Sequence, residues 1–177
     1  MLQIVILIIF AATVLLFLVI LTISAFFIFD LILPAPYVAS KTNVVEKMVK
    51  LAQIKKADRV FDLGSGDGRL LIAAAKRGAV AVGVEKNPFL VFLSRIKIKI
   101  ARVNAKVFYG DVADLDLTKA NIVFLYLNPK VLAKISPKFK QELKTGAKII
   151  SNTYELSGFT LYKKSDNILF YQVAGKK

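Results

Sequence analysis

The chain opens with a long apolar run and then alternates short apolar stretches with polar ones. No charged residue occurs from Leu2 to Phe29. A helix rises about 1.5 Å per residue and a bilayer core is about 30 Å thick, so this run is long enough to span a membrane. A cleaved signal peptide is the alternative, but the run is about twice the length of a typical signal core and no charged segment precedes it. The pattern predicts a retained transmembrane helix over residues 1–29.

The rest of the chain predicts an α/β domain. Pro34 and Pro36 indicate an extended linker over residues 30–40, so the domain is expected at 41–177. Helical and strand-like patterns alternate in it, which favours a parallel sheet with helices on both faces. The predicted helices are 42–53, 69–77, 89–102 and 131–143, and the predicted strands are 59–63, 80–85, 106–109, 121–127 and 147–152. Two last strands, 159–163 and 168–173, predict a closing antiparallel hairpin.

Charge and composition limit the partners and the chemistry. The net charge of +14 arises entirely from Asp30 onward, so the domain is expected to be drawn to anionic headgroups or to nucleic acid. No basic residue precedes the span and several follow it closely, which predicts a single-pass protein with its domain on the cytoplasmic side. The chain has no Cys and no His, which excludes thiolate and imidazole chemistry, and we expect no metal site.

Three glycines follow the first predicted strand of the domain and precede a helix. Gly64, Gly66 and Gly68, with Ser65 between the first two, give the layout of a nucleotide-binding loop at the carboxyl end of a strand. Glycine permits the tight turn and lets a ligand lie against bare backbone. An ordinary glycine turn is the alternative for these residues taken alone.

Four acidic residues indicate what that loop binds. Asp62 and Asp67 flank the glycines, where they would repel a pyrophosphate and attract the sulfonium and ammonium groups of S-adenosylmethionine (SAM). Glu85 ends the second strand, where a carboxylate can accept hydrogen bonds from both ribose hydroxyls. Asp111 follows the third strand and could accept from the adenine amine, with a turn-forming Asp as its alternative. A dinucleotide-dependent dehydrogenase is disfavoured for two reasons. The negative charge of the loop would repel the pyrophosphate, and the domain lacks the second mononucleotide-binding half of such enzymes.

These residues resemble the Class I SAM-dependent methyltransferases, whose Rossmann-like sheet carries a D-x-G-x-G-x-G loop and acids after the second and third strands. More narrowly, the chain is similar to the single-span protein-lysine methyltransferases. That family includes the mitochondrial enzymes for the adenine nucleotide translocase and the ATP synthase c subunit, and prokaryotic relatives. The segments that carry this resemblance are Pro36-Tyr37-Val38, F-D-L-G-S-G-D-G-R from Phe61 to Arg69, Gly83-Val84-Glu85-x-Asn87-Pro88, Leu125-Tyr126-Leu127-x-Pro129 and Leu143-x-x-Gly146 to Ser151.

The resemblance implies a catalytic loop at Tyr126, and it also has one departure. Tyr126 could pack on the acceptor amine, with a core aromatic as the alternative. Tyr37 could close the cofactor pocket, or it could be an interfacial tyrosine below the span. Relatives often carry Ser-His after the fifth strand and a Trp shortly beyond, where this chain has Ser151-Asn152 and Phe159.

The sequence therefore predicts a membrane-anchored SAM-dependent methyltransferase, with a lysine of a membrane-associated protein as the expected acceptor. A small-molecule or lipid methyltransferase and a non-catalytic SAM-binding membrane protein are alternatives. An RNA methyltransferase is a further one, because two basic stripes on predicted helices could contact phosphates. The membrane anchor argues against nucleic acid. The stripes are Arg95, Lys99 and Arg102, and Lys130, Lys134 and Lys138.

Overall fold

The apolar run forms one long helix. The computed structural model describes residues 1–32 and 40–175, and the side chains of 1–28 and 40–175; Pro34, Pro36 and Tyr37 lie outside this range. Helix α1 covers Leu2–Ile32, and its segment Leu2–Ile28 is long and apolar enough to cross a membrane. The hydroxyls of Thr13 and Thr22 each donate to a backbone carbonyl three residues earlier at 2.8 Å. Two polar side chains of this segment are thus satisfied within the helix, which suits a lipid environment.

The remaining chain, residues 38–177, is a separate compact unit built on a seven-stranded sheet. The strand order is β3-β2-β1-β4-β5-β7-β6, and the first five strands in the sequence are parallel. Strand β7 runs antiparallel to both of its neighbours, which confirms the predicted closing hairpin. The strands are β1 Arg59–Leu63, β2 Val80–Glu85, β3 Ala105–Tyr109, β4 Ile122–Leu125, β5 Lys148–Asn152, β6 Leu161–Ser165 and β7 Ile168–Gln172.

Helices cover both faces of this sheet, as predicted. Two hydrophobic clusters form, one with α2, α3 and α4, and the other with α5. Neighbouring β1 residues alternate between the clusters, since Val60 belongs to one cluster and Phe61 to the other, so the strand is buried on both sides. The helices are α2 Thr42–Ala52, α3 Arg69–Ala75, α4 Pro88–Ala101 and α5 Pro129–Glu142.

Four boundaries that differ from prediction bear on the site or on the packing beside it. Helices α4 and α5 begin earlier than predicted, because Asn87 and Asn128 cap them and proline is favoured at the first helical position. Strand β4 ends at Leu125 rather than at residue 127, so Tyr126 lies just beyond the strand. Strand β6 begins at Leu161 rather than 159, because Phe159 packs edge-on against Phe139 with ring centroids 6.3 Å apart.

Candidate active site

The predicted loop residues lie together where the strand order reverses. Strand β1 pairs with β2 on one side and with β4 on the other, and the chain leaves all three at the same edge of the sheet. The backbone N–H groups of Gly64 and Ser65 donate to the carbonyl of Val84 at 2.9 and 3.0 Å. The glycine loop is thereby attached to the end of β2, which carries Glu85.

None of the three loop glycines can be replaced without strain. Gly64, Gly66 and Gly68 have φ of +80°, +54° and +78°, the left-handed region that side chains rarely adopt. A Cβ on Gly64 would also lie 2.9 Å from Cδ2 of Leu127, and one on Gly68 would overlap Oγ of Ser94. The loop is therefore packed against the segment that follows β4 and against helix α4.

Asp62 is a buried acid beside two other acids. Its side chain is 5 % exposed, and burial, followed by the charges of Glu85 and Asp67, raises its pKa to about 8. Among the residues that the structure describes, no basic side chain pairs with it. A cationic ligand would supply the missing positive charge, which fits the sulfonium and ammonium of SAM.

Asp67, in contrast, already has cationic partners. Its carboxylate accepts from Nε of Arg69 at 2.8 Å and from Nζ of Lys97 at 2.5 Å. Burial alone would raise the pKa of Asp67, but these bonds and charges hold it well below its usual value. Arg69 also donates to the carbonyl of Ser40 at 2.7 Å. Asp67 therefore fastens the loop to α4 and to the start of the described domain, and we propose that it serves the cofactor by holding the loop in place.

Glu85 closes the loop from the other side. One carboxylate oxygen accepts from the N–H of Gly66 and the other from the N–H of Asn87, both at 2.9 Å. A carboxylate oxygen can accept more than one hydrogen bond, so both oxygens remain able to accept from ribose hydroxyls. The same side chain thus sets the loop and offers the acceptors that the sequence assigned to it.

Asp111 lies at the end of β3 and is partly solvent-exposed. It accepts from the N–H of Ala113 at 2.8 Å and pairs with Nζ of Lys86 at 2.5 Å. The hydrogen bond from Ala113, followed by that from Lys86, lowers the pKa of Asp111. The carboxylate is therefore ionised and fixed in orientation, and its contact with an adenine amine stays a proposal.

The candidate catalytic residue lies beside the glycine loop. Residues Leu63 and Leu125 are register partners, so Tyr126 follows β4 where Gly64 follows β1. The four residues of β4 are fully buried, whereas Tyr126 is half-buried. Tyr126 therefore lies outside the buried strand, and its catalytic role stays a proposal. Tyr37, the other predicted aromatic, lies outside the described residues.

Sequence reasoning included Ser65 in the loop but assigned no site role to two further polar residues near it, Asn87 and Ser94. Three buried atoms, Oγ of Ser65, Nδ2 of Asn87 and Oγ of Ser94, have no hydrogen-bond partner in the described part of the chain. Buried polar atoms are normally satisfied, so these groups suit a polar ligand or water at the loop. The Asn87-Pro88 pair could have been interpreted as a helix start, but nothing local marks Ser94 or Lys97 as loop partners.

Ser151 and Asn152, where relatives often carry Ser-His, make local hydrogen bonds after β5. Ser151 is fully buried and its hydroxyl donates to the carbonyl of Tyr154 at 2.6 Å. Asn152 is 7 % exposed and accepts from the hydroxyl of Thr153 at 3.2 Å. Both side chains therefore order the turn after β5.

The burial of Asp62 should make the stability of the folded protein depend on pH. Its carboxyl keeps its proton to about pH 8 when folded but loses it near 3.8 when unfolded, so the stability of the cofactor-free protein should fall as pH rises from about 4 to about 8. Asp62→Asn should flatten this slope in thermal unfolding measured from pH 5 to pH 8.5.

Asp67→Asn is the matched control for this experiment. Asp67 is ionised in both states above about pH 5, so its replacement should lower the melting temperature through lost ion pairs. Its charge is the smallest of the three causes that raise the pKa of Asp62, so most of the slope should remain. Equal slopes in wild type and Asp62→Asn would contradict the assignment of the buried proton to Asp62.

Comparison with solved structures defines the class. An RNA methyltransferase from Salinibacter ruber, solved with S-adenosyl-L-homocysteine, superposes with a TM-score of 0.74 and 31 % identity, covering 79 % of this chain and 96 % of that one. S-adenosyl-L-homocysteine is what SAM becomes after giving up its methyl group. With the strand order and the glycine loop in place, the domain is that of a SAM-dependent methyltransferase.

Sequence comparison narrows the class to a family. The model for the ANTKMT methyltransferase domain matches residues 62–163, and the chain belongs to this family. A protein-lysine N-methyltransferase of Saccharolobus islandicus is 35 % identical over 133 residues, which is 70 % of this chain and 80 % of that protein. The human lysine N-methyltransferase named for the c subunit of ATP synthase is 33 % identical over 127 residues, which is 71 % of this chain but only 54 % of the human protein.

Proposed function

We propose that the chain is a membrane-anchored protein-lysine N-methyltransferase acting on a membrane-associated protein. The proposal that the acceptor is a lysine rests on the Saccharolobus islandicus relative. That protein is named for lysine methylation and is matched over 80 % of its length. The apolar helix α1 supports the membrane location. The basic flank after α1 favours a cytoplasmic domain.

The residues of the site fit methyl transfer without a covalent enzyme intermediate. Bound SAM supplies an electrophilic methyl group on a sulfonium. The glycine loop and Glu85 hold the donor, and the segment after β4 holds the acceptor beside it, so that alignment supplies most of the rate. A lysine amine attacks only when neutral, and burial next to a cation favours its neutral form.

Tyr126 is the residue that we assign to the acceptor. Tyr126 is half-buried and follows β4 at the level where Gly64 follows β1, and its ring could pack on the amine. Backbone carbonyls that follow β4 would accept the hydrogens of the amine. This arrangement needs neither His nor Cys, and the chain contains none of either.

RNA methylation is the second candidate, because the Salinibacter ruber structure is named as an RNA methyltransferase. One of the two basic stripes gives it little support. Lys138 pairs with Glu142 at 2.5 Å, so the stripe on α5 is partly neutralised. Incubating full-length protein with methyl-labelled SAM, membranes and total RNA separates the candidates. We expect the label in protein as methyl-lysine; label in RNA or lipid would overturn the lysine assignment.

Removal of the anchor should lower methylation of a membrane-embedded acceptor and leave the affinity for SAM unchanged. Replacing residues 1–32 with a soluble tag is expected to lower methylation of a bilayer-embedded protein about 10-fold or more, because the two partners lose their shared surface. The SAM dissociation constant, measured by calorimetry, should stay within about twofold. Unchanged methylation of the embedded protein would contradict the proposed role of α1.

The proposed topology is testable because the chain has no cysteine. A single Lys164→Cys substitution places a thiol on the exposed β6 strand. A membrane-impermeant maleimide should label it in inverted vesicles and not in intact cells or right-side-out vesicles. Labelling in intact cells would place the domain on the other side.

A further inference from the structure

The exposed side of α4 carries an apolar strip next to a basic strip. Phe92, Ile96 and Ile100 recur every four residues and are 61 %, 40 % and 75 % exposed. With about 3.6 residues per turn, side chains four apart form a line along one side of a helix. The basic side chains form a second line beside it, and we call these six residues together the α4 surface. The basic members are Arg95 and Lys99 on the helix and Arg102 at its C-terminal cap.

The charge of the α4 surface is uncompensated. The segment from Lys86 to Gly110 contains six basic residues and no acidic one. Two of the six, Lys86 and Lys97, pair with Asp111 and Asp67. Within the described residues, none of the three basic members of the α4 surface pairs with a carboxylate. The surface therefore attracts anions.

We propose that the α4 surface docks on an anionic lipid bilayer. Large apolar side chains flanked by Lys and Arg on a helix are the features that place a helix at a membrane interface. Two of the three apolar members are isoleucines, which offer nucleic acid neither a stacking face nor a hydrogen bond, although Phe92 has a ring that could stack. A bilayer satisfies both strips at once, because acyl chains take the apolar side chains and headgroups take the basic ones.

Docking of this surface would set the position of the active site. Helix α4 begins three residues after Glu85, and the N–H of Asn87, which caps the helix, donates to Glu85. The cofactor acid is therefore bonded to the first turn of the docking helix. The inference rests on the membrane location proposed above and adds that the catalytic domain itself touches lipid.

The chain has no tryptophan, so single tryptophans report on lipid contact. Full-length Phe92→Trp is reconstituted into vesicles with brominated acyl chains, either phosphatidylcholine alone or mixed with phosphatidylglycerol. Tyr162→Trp is the matched control, since Tyr162 is a 71 % exposed aromatic on edge strand β6. Phe10→Trp, within α1, reports whether the anchor is inserted.

We expect Trp quenching at position 92 in phosphatidylglycerol vesicles to be about threefold stronger than at position 162. It should fall toward the control level in phosphatidylcholine alone, or when Arg95→Glu and Lys99→Glu are added. Quenching at position 10 should be strong in both lipids.

Each other result overturns a distinct claim. Quenching at position 10 without quenching at position 92 would leave the anchor in place and refute docking. Absence of both would refute anchoring and docking together. Equal quenching at position 92 in the two lipids would refute the role of the basic strip, and a response to single-stranded RNA instead of lipid would make the surface a nucleic-acid contact.

Discussion

Glu85→Ala is expected to weaken SAM binding at least about 100-fold, because it removes charge-assisted bonds on both sides of the site. The carboxylate accepts from the N–H groups of Gly66 and Asn87, so its loss leaves two backbone donors without a partner and the loop without its closure. The ribose acceptors disappear in the same substitution. Calorimetric titration with SAM measures the effect.

Two controls separate recognition from general damage. Glu85→Gln keeps one carbonyl oxygen as an acceptor and should bind SAM with intermediate affinity. Glu46→Ala removes an exposed acid on α2 and should bind normally. Binding of SAM by Glu85→Ala within about threefold of wild type would contradict the assignment of Glu85 to the cofactor.

Tyr126→Ala should lower kcat by about 100-fold while the SAM dissociation constant changes less than about twofold. The reason is the position of Tyr126, which follows β4 at the level where Gly64 follows β1 and is half-buried, unlike the strand before it. Tyr126→Phe should retain most activity if the ring face holds the amine. Single-turnover methyl transfer at saturating SAM is the measurement that isolates this step.

A structural role for Tyr126 would give a different pattern. Tyr162→Ala removes an exposed tyrosine of the hairpin and should leave kcat unchanged. If Tyr126→Ala lowered the melting temperature strongly and left kcat near wild type, the ring would serve packing alone. The combination of an unchanged melting temperature and a lost kcat supports the catalytic role.

The sequence predicted the sheet well because the sheet depends on local pattern. Strands β1 and β2 are compact apolar runs bounded by polar residues, and both were predicted with their observed bounds. The starts of α4 and α5 were predicted too late in the chain, because capping by Asn87 and Asn128 allows proline to begin a helix. Phe159 has the residue type of a strand, but its contact with Phe139 holds it outside β6.

The site was less predictable because its residues act through partners distant in the chain. The glycine spacing and Glu85 could be interpreted locally, and the structure brings them together. The sequence assigned Asp67 to attract the ligand, whereas Lys97, 30 positions later, pairs with it. Nothing local indicates that pairing, or that Ser94 lies beneath Gly68. The pKa of Asp62 likewise depends on burial and on Glu85, which only the fold brings together.

The most direct test of lysine methylation by this pocket is peptide mapping of methylated membranes. Full-length wild type and Glu85→Ala are each incubated with methyl-labelled SAM and membranes, and the labelled protein is analysed by tandem mass spectrometry. We predict one or a few methyl-lysine sites in a membrane-associated protein with wild type, and none with Glu85→Ala. Methyl groups on another residue type, in RNA or in lipid, or an unchanged pattern with Glu85→Ala, would contradict it.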